Sequence, residues 1–357
     1  MNQFNASSRS DTGLADFLRY ENVAWFEDGA VKILDRRVFP TETRYVACKT
    51  VEEVKNAIKD MVTQSGGVKL AAFQALRLQA HLTGGAKNAA AISSLRKAAN
   101  IVANARPTTA PQIERMLGVI VDKIEACEDG VPLTVATDDA VLAAMNKRYQ
   151  DFRVIAGHIV DVLPNRPRIL THCFSELLLG FVLLLAKERG LSPELICTET
   201  RPYLQGARFT ATVGMQTGVP VTLITDGMPG AMMAAGKIDA FITAADVITM
   251  DGFVANKVGT YQIAALAKRH GTPYYVGGFP SAAHPAGECI VVEQRDPNEV
   301  LTVLGQRVAL AGVKGYYPAF DVTPPELVTA ISTVEALKRP DELMIKKEDN
   351  EACSQKE

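Results

Sequence analysis

Apolar positions change their spacing once along this chain, and the change divides it. From Val51 to about Leu163 they recur at helical intervals in successive blocks: VEEVKNAIKDMV, LAAFQALRLQAHL, AISSLRKAANIVANA, PQIERMLGVIVDKIEA and a long stretch from Asp138 to Leu163. Ahead of them, NVAWFEDGAVKILD is two apolar runs around Asp28-Gly29, a dipeptide that favours positive φ and a tight hairpin. Two prolines in Pro164-Asn165-Arg166-Pro167 end the helical pattern. Beyond them the short β-rich runs RILTHC, ELICTE, VTLIT, DAFITAAD and PYYVGG alternate with helical stretches. Such alternation predicts βαβ units with right-handed crossovers. The expected fold is α/β: a small, mainly helical N-terminal domain with a β-hairpin (residues 16–163), then a Rossmann-like, doubly wound, mostly parallel sheet domain (residues 164–345). The polar, aperiodic ends, 1–15 and 346–357, are expected to be disordered tails.

Charge narrows the function. Among 357 residues, 38 Lys and Arg against 40 Asp and Glu give a formal net charge of −2, with no basic footprint for nucleic acid. The polar start MNQFNASSRSDTG and a longest apolar run of only Leu177 to Ala186 predict no secretory signal, no membrane span and a cytoplasmic protein. Six scattered cysteines without a CxxC pair or zinc-like spacing argue against a disulfide framework and a structural metal. Neither GxGxxG after the first strand nor GxxxxGK[ST] is present, so no nucleotide cofactor is predicted.

Ligands of open α/β sheets bind beyond the carboxyl ends of the strands. The predicted strands end in Thr171-His172-Cys173, Thr198-Glu199-Thr200-Arg201, Thr225-Asp226 and Ala245-Asp246, which could bring a thiol, two carboxylates and an arginine to one cleft. Cys173 precedes a helix whose dipole would favour thiolate, although a free cysteine is more often a buried apolar residue. Asp246 ends an apolar run where burial would raise its pKa, or else it caps a helix. Asp226 competes between chemistry and a turn with Gly227 and Pro229, and His172 between chemistry and a satisfied core histidine. Asn256 and Lys257 precede Gly259-Thr260 and a helix start, where lysine and backbone N–H groups suit a phosphate.

Taken together, THC, ETRPYLQGARFTA, TLITDGM, AADVITMDGFVANKVGTY and PAFDVTPPELVTAI closely resemble the methylthioribose-1-phosphate isomerase family, which is related to ribose-1,5-bisphosphate isomerase and to the regulatory subunits of the initiation factor two exchange factor. The resemblance runs from near Trp25 to about residue 335. It implies a homodimer that converts a five-carbon aldose 1-phosphate to the ketose 1-phosphate, without metal or nucleotide. By that likeness Cys173 and Asp246 are the catalytic pair, with Asp246 at the ring oxygen and hydroxyl and Cys173 between the carbons. Gln205 matches a ligand-binding glutamine, Asn256 and Lys257 the pair holding hydroxyl and phosphate, and Arg106 of ARPTTA a phosphate-binding arginine.

The chain also departs from the family pattern. Gln64-Ser65-Gly66-Gly67-Val68-Lys69-Leu70 stands where the arginine-led RGAPAIG loop is usual, so Gln64 replaces a phosphate-binding arginine. Ser65, Gly66 and Gly67 can still offer amides to an anion, and Lys69 can restore the charge if it points inward. Phe174-Ser175-Glu176 follows the cysteine in place of small polar residues, and Tyr203 stands where a second arginine is common. The expected function is therefore an isomerase acting on methylthioribose 1-phosphate or a close analogue such as 5-deoxyribose 1-phosphate. The alternatives are a non-catalytic ligand-binding or regulatory homologue and, more remotely, a lyase using the same acid/base pair.

Overall fold

A computed structural model describes residues 9–106 and 110–343. The chain divides into two compact units, Met1–Gln150 and Asp151–Glu357. The expected boundary at Pro164 is displaced, because the apolar spacing runs unbroken through a helix that starts in one unit and ends in the other. The prolines mark the end of that helix, not the change of core.

In the first unit a single turn α1 (Tyr20–Val23) leads into β1 (Ala24–Glu27) and β2 (Ala30–Leu34), an antiparallel hairpin. Asp28 and Gly29 both have positive φ, 52° and 73°, as a two-residue turn of the expected type requires. A third strand, β3 (Tyr45–Cys48), which the sequence pattern did not reveal, pairs with β2. Five helices follow: α2 (Val51–Lys59), α3 (Gly67–Thr83), α4 (Ala89–Ala103), α5 (Ala110–Glu125) and α6 (Leu133–Val160). Side chains of Thr50 and Asn88 accept the N–H groups of Glu53 and Ala91, capping α2 and α4. Residues 9–15, grouped with the polar tail on sequence, are instead packed: Asp11, Leu14 and Ala15 are buried, and Asp11 takes Arg9 as its ion partner and the Tyr20 N–H as donor. Polarity misled here because the buried carboxylate is paired. The remaining expected tail residues lie outside the described residues.

The second unit is built on β4 (Arg168–Thr171), α7 (Glu176–Glu188), β5 (Glu194–Thr198), α8 (Ala211–Thr217), β6 (Val221–Ile224), α9 (Pro229–Ala234) and β7 (Ala240–Ala244). Then come β8 (Val247–Ile248), β9 (Val254–Lys257), α10 (Thr260–His270) and β10 (Tyr274–Gly277), a two-stranded ribbon β11 (Thr302–Val303) and β12 (Gln306–Arg307), and last β13 (Phe320–Thr323), β14 (Ala330–Ser332) and β15 (Leu337–Lys338). Its main sheet has the order β15-β14-β10-β7-β4-β5-β6, all neighbours parallel except the edge strand β15. Both faces are covered, so β4 and β7 read as near-continuous apolar runs, and Leu170, Ile196, Phe241, Val276 and Ile331 form one core. A smaller antiparallel sheet, β13-β9-β8, lies beside it in the chain's second unit. Cys48, Cys127, Cys173 and Cys197 are free thiols. Cys289 is disulfide-bonded, although the cysteine spacing argued against a disulfide framework. Among the described residues no helix is long and apolar enough to cross a membrane.

Candidate active site

Strand order reverses at β4, with β5 and β6 on one side and β7, β10 and β14 on the other. At such a switch point the loops leaving neighbouring strands diverge and open a crevice. Cys173 follows β4 and Asp246 follows β7, so the two flank this point. Ser175 ties the loops together, its Oγ accepting the Ala244 N–H at 3.0 Å.

Cys173 is held by its backbone. Its N–H donates to Thr200 Oγ1 at 2.9 Å and its carbonyl accepts from Thr210 Oγ1. Cys173 and Thr200 both sit at positive φ, 64° and 63°, strain that the surrounding bonds must hold. The sequence led to an expectation of a dipole-stabilised thiolate. The structure reverses it: burial pushes the thiol up to about 12, with the Asp246 and Asp226 charges adding and Lys257 opposing. Desolvation outweighs the helix end, so the group is a neutral thiol. Asp246 is exposed, which removes the burial argument made for it, yet its charge is felt at Cys173.

The remaining strand-end groups have taken other tasks. Asp226 accepts the N–H groups of Thr200 and Arg201, both at 2.7 Å, and so fixes the turn that bears Thr200. Arg201 points elsewhere, donating to the carbonyls of Val300 and Thr302. Glu199 is half-buried, and burial raises its pKa. Past this turn Gln205 is buried, and its Oε1 has no hydrogen-bond partner among the described residues. Gly206 then approaches the Thr198 carbonyl so closely that a Cβ would lie 1.7 Å from the oxygen. Phe174 packs on Phe209, and Arg208 lies over Tyr203 and Phe209, forming an aromatic group beside Cys173.

Asn256 and Lys257 end β9 and are buried. Asn256 Nδ2 donates to Thr260 Oγ1 at 3.1 Å, and Lys257 Nζ to Tyr317 OH at 3.4 Å beneath the Tyr317 and Phe320 rings. The start of α10 differs from expectation. Two of the amides assigned to an anion, those of Gly259 and Tyr261, are taken by the Asp321 carboxylate at 2.6 and 3.1 Å. Asp321 lies in PAFDVTP, where nothing local marks it for this task, because its partners lie far away in the chain. Burial raises Asp321 from 3.8 to about 6, against the opposing pull of those amides and of Lys257.

A folded-state pKa above the ordinary value means that the folded chain binds this proton more tightly than the unfolded chain. The stability it contributes is present below about pH 4 and lost as pH rises through 6. The wild-type chain should therefore lose roughly 2–3 kcal/mol between pH 4 and pH 7 that Asp321→Asn retains. Urea unfolding of both at each pH checks this, and parallel pH dependences would refute it.

In the first unit, Gln64, Ser65, Gly66 and Gly67 form the turn that opens α3, with Ser65 exposed at φ 55°. Gln64 is buried and its Nε2 lacks a partner among the described residues. Fully buried Arg36 donates from Nη1 to the Gln64 carbonyl at 2.6 Å, placing a guanidinium behind the turn that lacks the family arginine. Nothing in DRRVF distinguishes Arg36 from a solvated residue. Arg106 uses Nε and Nη2 on the carbonyls of Ile58 and Thr63, so these donors of its fork hold the preceding loop. Lys69 is half-buried on α3. Among the described residues no three His, Cys, Asp or Glu side chains converge as metal ligands would.

Comparison with known proteins decides the family. Residues 62–335 match the model of the initiation factor 2 subunit family. A methylthioribose-1-phosphate isomerase of Roseiflexus castenholzii is 38% identical over 87% of this chain and 92% of its own. The chain belongs to the methylthioribose-1-phosphate isomerase family. A second family member, from Thermotoga petrophila, is 37% identical over 90% of this chain and 96% of its own. The crystal structure of the Pyrococcus horikoshii 5-methylthioribose 1-phosphate isomerase matches 96% of this chain and 98% of its own at a TM-score of 0.79 and 31% identity. The delta subunit of translation initiation factor eIF-2B from A. fulgidus matches 88% of this chain and 94% of its own at 0.75 and 29%.

Proposed function

We propose that this family member is an aldose–ketose isomerase acting on a five-carbon sugar 1-phosphate, with Cys173 and Asp246 as its acid/base pair. What supports the reading is that Cys173 and Asp246 follow the paired strands β4 and β7 at the sheet's switch point, with the Asp246 and Lys257 charges bearing on the thiol. Gln205 Oε1 would accept a substrate hydroxyl, and Asn256 and Lys257 would hold hydroxyl and phosphate. Aromatic residues beside Cys173 favour an apolar group at C5, as in the methylthio or deoxy sugars.

The anomeric phosphate bars a free aldehyde, so C1 must part from the ring oxygen before hydrogen can move. A thiol near 12 is poorly suited to take a proton from carbon and well matched to hydroxyl oxygens, which supports reversing the division of labour inferred from sequence. Cys173 gives its proton to the ring oxygen as the C1–O bond breaks, leaving a cation at C1. The Asp246 carboxylate removes the C2 proton to form the C1=C2 enol. It then returns that proton to C1 while the O2 hydroxyl proton passes to the Cys173 thiolate. Ring oxygen and C1 each gain a hydrogen, C2 becomes the ketone, and both side chains end as they began.

Proton NMR of the purified chain with the α-1-phosphates of methylthioribose, 5-deoxyribose and ribose tests this. The corresponding ketose 1-phosphate should appear from at least one. No conversion, with a sugar phosphate still raising the melting temperature, would favour the regulatory reading that the eIF-2B likeness keeps open. A cytoplasmic homodimer without nucleic-acid or membrane partners completes the proposal, with sedimentation as the check on its size.

A further inference from the structure

His172 immediately precedes Cys173 and is buried with both ring nitrogens engaged. Nε2 lies 2.9 Å from the Val258 carbonyl, which can only accept, so Nε2 carries the hydrogen. In a neutral ring Nδ1 then accepts, and Thr198 Oγ1 donates to it at 2.6 Å. Thr198 Oγ1 stands 3.3 Å from Thr200 Oγ1, which itself accepts the Cys173 N–H. The run reads Cys173 N–H to Thr200, Thr198 to His172 and His172 to Val258; because Thr198 spends its proton on His172, only Thr200 can donate between the two hydroxyls, and it shares that proton with the Thr198 carbonyl at 3.4 Å. Runs of hydrogen bonds pointing one way polarise and strengthen one another.

The far end of the run is as informative as the near end. Val258 links Lys257 to Gly259, and Gly259, at φ 107°, leaves room where a Cβ would lie 2.9 Å from His172 Nε2. One imidazole thus bonds both the Thr198 hydroxyl beside the Cys173 turn and the Val258 carbonyl that follows Asn256 and Lys257. We propose that His172 is a positioning residue that fixes the cysteine turn and the Asn256–Lys257 strand end relative to each other, through Thr198 on one side and Val258 on the other. A doubly protonated ring would force Thr198 to accept and reverse the run. Of the charges around the ring, Lys257 and burial oppose that proton and Asp226 favours it, with burial dominant.

The kinetic part of the test rests on the isomerase reading, and the chemical part does not. Thr198→Val keeps the shape and removes the donor to Nδ1, so kcat should fall by about tenfold or more with KM little changed. His172→Asn keeps an acceptor near Thr198 and no longer reaches Val258, so KM should rise by about tenfold with a smaller change in kcat. Equal losses of both in the two variants, tracking only the folded fraction, would overturn the proposal. Alkylation of Cys173 by iodoacetamide, followed on its peptide by mass spectrometry, needs no substrate. Its rate should change by roughly threefold or more in Thr198→Val, and an unchanged rate counts against the coupling even if no sugar phosphate is turned over. Should His172→Asn fail to fold, imidazole 1H–15N spectra of the wild-type chain decide: a neutral ring with hydrogen on Nε2 down to about pH 5 supports the run, and a ring doubly protonated near pH 6 refutes it.

Discussion

Replacing Cys173 by serine is expected to reduce turnover by about 10³-fold or more while leaving the melting temperature unchanged. General acid catalysis by a placed group contributes about 10²–10⁴-fold, and a serine hydroxyl gives up its proton far less readily than a thiol at about 12. The fold should not notice, because Cys173 is anchored through its N–H to Thr200 and its carbonyl to Thr210, contacts that serine keeps. Steady-state rates beside a thermal melt measure both halves of the expectation. A serine variant within tenfold of wild type would remove the thiol from the mechanism.

Gly206→Ala tests the architecture instead of the chemistry. The new methyl group would lie 1.7 Å from the Thr198 carbonyl oxygen, 2.9 Å from its carbon and 2.9 Å from Thr200 Oγ1. The first two are backbone atoms of β5 and cannot swing aside. Relief must come from moving the segment that carries Gln205, and a cost of about 3–4 kcal/mol or more is expected, with turnover lost alongside. Gly118→Ala is the control, since nothing lies within 4 Å of its added carbon and the position is helical. That change should gain roughly 0.5–1 kcal/mol. Urea unfolding of the two variants gives the comparison, and a Gly206→Ala cost under about 1 kcal/mol would mean that the close approach is not real.

The fold was legible where burial and period coincide. β4, β5, β7 and β10 sit inside a doubly covered sheet, so their apolar runs survive as near-continuous stretches, while the edge strand β6 is half exposed, and the helices between them keep a clear spacing. The strands β8, β9 and β13 escaped because VI, VANK and FDVT are short and half polar, and their pairing is set by partners far along the chain. Cys173 and Asp246 were picked out as candidates from sequence because strand ends are where ligands bind. Their electrostatics were not, since whether a thiol feels a helix end or an apolar wall depends on neighbours that spacing does not reveal. The same holds for Asp321, Arg36 and the His172 run, whose partners are separated by tens of residues or lie within ordinary-looking sequence.

The strand order carries one further consequence, for the way the molecule assembles. β7 lies against β4, yet β5, β6 and the helices that accompany them come between the two in the chain. Bringing Cys173 and Asp246 together therefore requires closing a long loop across an already folded flank, whereas α2 to α6 form from local contacts. During refolding, helical signal returns early and enzymatic competence last, so regained activity serves as a clock for the closing of the β4–β7 seam.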